Sequence, residues 1–396
     1  PPLPPAQSVR WSCLAFDRPW RTAVIGSAPV DAEQTYGRGL ENLVVGDTAI
    51  STIDGSRGRL AYRGYDVEEL AARATFEEVT YLVLFGDLPD ASQLEEWRRE
   101  QIRWRQPPQA AFDALRRVPT RSHPMAQYRT MLTVAACHIP EPENTEMDAQ
   151  WRRPARILSW TAALAAAAIR HLQGLEPVPP DHGLGFAANF LFQVLGSRPS
   201  PEEERAFDAS LIVQAEHGLH AAAFAALVVI STGADLGSAV LAGMGALSGE
   251  RHGGANQLAF QMLSGLDGPD HARIWAREAV AKGHRFPGFG HRVYKCPDPR
   301  VRVLEPHARA LLASRDREDL WHSYLALRDE VESALGSKGV YANVDSITGL
   351  VYHPIGLPPS ALPIPFSLAI QTGWMAHCLE YLPDGKMMSP GAVYVG

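Results

Sequence analysis

Apolar positions recur along most of the chain at the three- and four-residue spacing of an amphipathic helix, while strand-like alternation is confined to one short stretch. Residues 66–85 put Val67, Leu70 and Ala71, then Val79, Leu82 and Val83, on common faces. Asp66 and Thr75 stand in N-cap positions, so this stretch predicts two helices. The same spacing predicts helices over 159–172, 185–194, 201–211, 255–263, 271–283, 320–336 and 365–382, each closed by Gly, Pro or Asp-Gly. A single helix is predicted over 221–247, which is apolar on most sides and rich in Ala and Gly. Such a helix belongs at the centre of a bundle or at a subunit interface. β character is limited to 43–62, which reads as a small hairpin around the GSRG turn, an appendage to a helical body. The predicted fold class is mainly α with this small N-terminal β-hairpin.

Composition narrows the class. The 396 residues are 46% hydrophobic and 20% charged, an ordinary globular balance that excludes disorder, collagen and coiled coil and allows one large or two moderate domains. With 37 Lys and Arg against 44 Asp and Glu, the net charge of −7 offers no surplus to neutralise a nucleic-acid backbone. Cys13, Cys137, Cys296 and Cys378 are scattered singly without a CxxC pair, which predicts reduced thiols in a cytoplasmic protein and no metal site. The most apolar run, 160–169, is half of the about 20 residues a membrane span needs. No membrane partner is predicted. The opening PPLPPAQSVRWSCLAF lacks the charged head and long apolar stretch of a secretory signal, and its prolines predict a poorly ordered leader over 1–38.

Candidate chemistry gathers in glycine-bearing turns between helices. Three hold histidines: Glu216-His217-Gly218, Arg251-His252-Gly253-Gly254 and Gly288-Phe289-Gly290-His291-Arg292. A fourth titratable group, Asp345, lies in Ala342-Asn343-Val344-Asp345. Glycine lets backbone approach a ligand closely, and a histidine near a helix N-terminus is held neutral and can donate a hydrogen bond. Any one of the 14 histidines taken alone reads as an ordinary core or surface residue. The spacing excludes zinc motifs such as HExxH, and no GxSxG elbow is present. The glycine-rich, basic stretch 282–295 suits a loop around an anionic ligand such as a phosphorylated cofactor, or else a solvated basic turn. It is neither a P-loop nor a dinucleotide fingerprint.

These motifs carry a family resemblance. GLENLVVGDTAISTIDGSRGRLAYRGYDVEELAARATFEEVTYLVLFGDLP, HPM at 123–125, AEHGLHAAAFA, SGERHGGAN, FPGFGHRVYKCPDPR, ANVDSITG, GWMAH and the terminal YVG occur in the order seen in citrate synthases, in the short form common in bacteria and archaea. The resemblance implies a citrate synthase-like two-domain helical homodimer, with a large domain over 39–255 and 357–396 and a small one over 256–356. It implies acetyl-CoA or another short acyl-CoA as co-substrate and a 2-oxo acid as acceptor. Position by position, Asp345 matches the base that takes the acyl proton, His252 the donor to the thioester oxygen, and His291 the group that protonates the keto oxygen. A carboxylate is too weak a base to form a free enolate, so donation from a neutral imidazole is needed at the same moment. His217 and Arg300 match residues that bind the oxo acid. Phe289, Gly290, Arg292 and Lys295 match the CoA-recognition loop.

Four positions depart from the family pattern. Ile370 and Ser389 stand where arginines help hold the carboxylates of oxaloacetate, His220 stands where Asn is usual, and Ala342 replaces a proline. A buried carboxylate that loses its arginine costs about 3–5 kcal/mol. The expectation is therefore a retained acyl-CoA half with a changed acceptor, for example phosphonopyruvate, for which His220, Gln371 and Ser389 could supply neutral donors around Ile370. The alternatives are an ordinary citrate or 2-methylcitrate synthase in which Arg251 or Arg285 compensates, a hydrolase of acyl-CoA, and a non-catalytic binding partner.

Overall fold

The computed structural model describes residues 38–40, 43–138, 146–249, 252–383 and 385–390. The leader expected over 1–38 lies, apart from Arg38, outside the described residues, as does Arg251. Three antiparallel strands, β1 (Ser51–Asp54), β2 (Arg59–Tyr62) and β3 (Tyr65–Asp66), form one sheet in that order, with Ser51 opposite Tyr62 and Ala61 opposite Asp66. Helices α1 (Val67–Arg73), α2 (Phe76–Phe85), α3 (Ala91–Arg103), α4 (Gln109–Leu115), α5 (Pro124–Ala136), α6 (Glu146–Leu172), α7 (Phe186–Leu195) and α8 (Pro201–Val213) follow. The chain continues through α9 (Ala221–Ser231), α10 (Leu236–Leu247), α11 (Ala255–Ser264), α12 (Gly268–Ala281), α13 (Pro299–Ala313), α14 (Glu318–Leu335), α15 (Val344–Ile355) and α16 (Pro363–Tyr381).

Local chemistry sets many of these boundaries. Asp66 caps α1 by accepting from the Glu68 N–H, and Thr75 and Glu78 form a reciprocal capping box at the start of α2. The helix expected over 221–247 is two. Gly233 adopts a left-handed φ of 83° after α9, and Asp235 then caps α10 by accepting from the Ser238 N–H. Both signals lie in the Thr232-Gly233-Ala234-Asp235 segment, a short polar break that the long apolar runs on either side outweigh. Helices α3, α4, α5, α13 and α15 were not marked by the apolar periodicity at all.

Helix α16 is the axis of the larger layer, packed by α2, α6, α8, α9 and α10, and nearly every side chain from Pro363 to Cys378 is buried. Helices α11 and α13 pack on α15, α12 packs on α14, and this second group leans on α1 and α8 through α13 and α15. The sheet is not an appendage. Leu60 and Tyr62 are fully buried in the core, and the carbonyl of Gly55, in the β1–β2 turn, accepts the Lys295 N–H at 3.0 Å. A side chain at Gly55 would collide with the Val293 backbone, so the turn is fitted to the loop between α12 and α13. Among the described residues no helix is long and apolar enough to cross a membrane.

Candidate functional site

The loop between α12 and α13 is fastened to the N-terminus of α15. The Gly290 N–H donates to the Tyr341 carbonyl at 2.7 Å, the Asn343 N–H to the Gly288 carbonyl at 2.9 Å, and the Asn343 side-chain amide to the Gly290 carbonyl at 2.7 Å. Asn343 also caps α15 by accepting from the Asp345 N–H at 2.9 Å, which places Asp345 in the first turn. Gly288 has φ 81°, and a Cβ there would come within 2.9 Å of the Ser346 backbone, so both conformation and contact require glycine. Asp298 ties the start of α13 to the same point. Its carboxylate accepts from Arg300 Nη2 at 2.8 Å, from Arg300 Nε, and from the Val344 N–H at 3.2 Å.

Two groups of rings flank this junction. His217, His291 and Tyr294 form one, with ring centroids 5.1 Å apart for the two histidines and 4.8 Å for His291 and Tyr294. His217 Nε2 is 3.2 Å from the Tyr294 hydroxyl, and the Arg300 guanidinium lies 5.7 Å from the Tyr294 ring. His220, His252 and Trp374 form the other, His220 touching both partners. The loop 216–220, between α8 and α9, supplies one histidine to each group. It is held by Glu216, buried at 0% exposure, whose carboxylate takes the Ser51 hydroxyl at 2.9 Å and lies 3.1 Å from His377 Nε2 on α16. A side chain at Gly373 would overlap Glu216, so α16 approaches this loop only because residue 373 is glycine.

The electrostatics favour neutral imidazoles and one carboxyl poised to ionise. Burial, and then the Arg300 cation, hold His217 well below its ordinary range, and burial followed by the same cation brings His291 down to about 4. Burial lowers His252, and burial with the neighbouring His252 brings His220 down to about 3. Asp345 moves the other way. Desolvation pushes its carboxyl up to about 6, against the pull of Arg300. Burial works against ionised Glu216, yet the His377 imidazole beside it brings its carboxyl below the usual range, and His377 is correspondingly raised. His291 Nδ1 accepts two backbone N–H groups, from Val293 at 3.0 Å and Tyr294 at 3.1 Å, so the proton of the neutral ring sits on Nε2.

The structure thus gathers His217 and His291 around Tyr294 and Arg300, whose cation also acts on Asp345, and pairs His220 with His252. Phe289 pairs with Ala342 across a β-bridge, Lys295 reaches the His291 carbonyl at 3.0 Å, and Arg292 is exposed on the same loop. The proposed acceptor donors fare differently. Gln371 is fully buried with its amide on the Thr161 hydroxyl at 2.6 Å, facing α6 and not the histidines. Both ring nitrogens of His220 are taken by protein groups. Ser389 is exposed on a tail that the Met388 N–H fastens to Ser231 at 3.0 Å, the far end of α9 and about 16 Å along it from His220. Ile370, 1% exposed, shares a face of α16 with Trp374 and His377 and so looks toward the 215–220 segment. One edge of the Arg300 fork is already spent on Asp298. Sequence reasoning passed over Tyr294, Asp298, Asn343 and Trp374. The Asn-x-Asp and Asp-Pro-Arg patterns carried cap signals that could have flagged two of them.

Residues 39–391 match the family model of the citrate synthase C-terminal domain. Citrate synthase from Haloferax volcanii is 34% identical over 364 residues, covering 91% of this chain and 95% of the relative. The 2-methylcitrate synthase of Mycobacterium tuberculosis is 34% identical over 367 residues, covering 93% and 92%. Among solved structures, the ternary complex of citrate synthase from Thermoplasma acidophilum with carboxymethyl coenzyme A and oxaloacetate superposes with a TM-score of 0.86 at 31% identity, covering 90% of this chain and 95% of that one. The chain belongs to the citrate synthase family.

Proposed function

We propose that the protein condenses acetyl-CoA, or another short acyl-CoA, with a 2-oxo acid other than oxaloacetate and then hydrolyses the thioester to release CoA. Ile370 carries the choice of acceptor. It is buried at 1% exposure on the stripe of α16 that faces the histidine loop, at the position where the family resemblance expects an arginine. A second carboxylate desolvated against isoleucine would cost about 3–5 kcal/mol, a factor of a hundred or more in affinity. Arg300, with one edge committed to Asp298, supports recognition of a single carboxylate. An apolar, amide-like or phosphonate tail, as in phosphonopyruvate, fits this reading.

In the proposed reaction Asp345 removes a proton from the carbon next to the thioester, while the His252 N–H holds the thioester oxygen as a neutral enol. The C–H electron pair becomes the enol double bond, which then attacks the keto carbon. The enol proton returns to His252 as the thioester carbonyl re-forms, and the His291 Nε2 proton moves to the keto oxygen and is replaced by the proton Asp345 took up. Water cleaves the thioester to carboxylate and CoA thiol, the acid's proton leaving to solvent. A carboxyl raised to about 6 is a stronger base than a free one yet is still ionised at neutral pH. Phe289, Gly290, Arg292 and Lys295 line the loop assigned to CoA, and closure of 256–356 over 39–255 and 357–396 would exclude water during condensation. A homodimer completes the reading. Phe224 and Val228 leave an apolar stripe part-exposed on α9, which supports association through that face, and on this reading Ser389, near the C-terminal end of that helix, would serve the partner's site.

The test is CoA-thiol release from acetyl-CoA with oxaloacetate and a panel of other 2-oxo acids, phosphonopyruvate included. Release only with another acceptor is expected, and Ile370→Arg with Ser389→Arg should raise oxaloacetate use at least tenfold. Robust release by the wild type with oxaloacetate would instead support the second reading, a citrate or 2-methylcitrate synthase, which the relatives of those activities favour.

A further inference from the structure

Three side chains from separate elements stand in line: Trp374 on α16, His220 at the N-cap of α9, and His252 ahead of α11. The indole Nε1 lies 3.3 Å from His220 Nε2, and His220 Nδ1 lies 3.2 Å from His252 Nε2. An indole N–H can only donate, so His220 Nε2 must accept, and the one proton of a neutral His220 sits on Nδ1. That proton faces His252 Nε2, which must therefore accept as well. The proton of a neutral His252 is left on Nδ1. Every other pair of neutral tautomers sets two N–H groups against each other at one of the two contacts. Burial disfavours the charged form of both rings, which keeps the neutral tautomers in play. The donor end of the line is fixed by shape. Gly243 of α10 lies under the indole, where a Cβ would come within 2.6 Å of Trp374 Cε3.

We propose that Trp374 and His220 are positioning residues that lock His252 in its Nδ1–H tautomer, so that its hydrogen-bond donor is assigned before any substrate arrives. Any consequence for turnover rests on the reading of His252 as the donor to the thioester oxygen; the lock itself does not. His220 acts here through His252 and not as a contact to the acceptor.

The two parts separate experimentally. In protein labelled with 15N-histidine, with His252 assigned by its loss in His252→Gln, the wild type should show a protonated Nδ1 and an unprotonated Nε2. His220→Asn, which keeps an N–H donor, should preserve that pattern. His220→Asp, equal in size and unable to donate when ionised, should move the proton to Nε2 or protonate both nitrogens. Trp374→Phe should leave His252 in a mixture of tautomers, and it carries the same readout if His220→Asp does not fold. In turnover, His220→Asp should have a kcat at least tenfold below that of His220→Asn with the KM for acyl-CoA within twofold. An Nε2-protonated His252 in the wild type, or one unchanged in both His220→Asp and Trp374→Phe, overturns the lock. A tautomer that moves as described in a protein that releases no CoA from any acyl donor overturns the proposed reaction and leaves the lock standing.

Discussion

Asp345 shows how one residue can be tuned against its own stability. Its carboxyl, pushed up to about 6 by desolvation, binds a proton more tightly in the folded chain than in the unfolded one, where about 3.9 is usual. The folded state therefore loses stability as pH rises from about 4 through about 6. Asp345→Asn should raise the melting temperature at pH 7 by a few degrees, lose that advantage below pH 4, and reduce CoA release at least a hundredfold. A variant no more stable than the wild type at pH 7 would contradict the desolvation argument. For the wild type, release should fall about tenfold per unit as pH drops below about 6, because the base becomes protonated. His291, brought down to about 4, stays neutral through that window and cannot account for the limb. An acid limb that persists in His291→Gln identifies Asp345 as its source. The residue types behind this behaviour were legible in the sequence; the direction of the shift was not, because it depends on how much water the folded chain removes.

Between elements, Asp298 joins the start of α13 to α15 by accepting from the Val344 N–H, and neither it nor its ion-pair partner Arg300 is more than 4% exposed. Replacing one partner of a buried pair strands the other charge, at about 3–5 kcal/mol. Asp298→Asn should therefore lower the unfolding free energy read from urea denaturation by that amount and loosen the N-terminus of α15, since the Val344 N–H also loses a charged acceptor. An unchanged unfolding free energy would mean that Arg300 finds other company. The caps Asp66 and Thr75 were legible in the chain, whereas the Asp90–Gln93 box of α3 and the caps of α13 and α15 went unread. The 221–247 region is two helices and not one because the break rests on a left-handed Gly233 and the Asp235 cap, a short signal that the apolar runs on either side outweigh. The sheet is part of the core and not an appendage, since β2 and β3 pack on α1 and the β1–β2 turn meets the loop 293–297 from more than 200 residues away.

For the whole molecule, the α9 stripe predicts association. Sedimentation equilibrium should give twice the chain mass, and Val228→Asp should shift the population to monomer by placing a charge on the apolar face. If Ser389 serves the partner's site, the same variant should also cost activity beyond any loss of stability. A wild-type monomer would remove both expectations.

What the sequence determined by itself is what short-range physics encodes: helical periodicity, caps, and an ordered series of motifs with the residue types needed for proton transfer. Only the tertiary structure decided that Gln371 faces α6, that one edge of Arg300 is already occupied, and that His220 has no ring nitrogen to spare. Those outcomes turn on contacts between residues far apart in the chain, whose distances and burial follow from packing and leave no local signature.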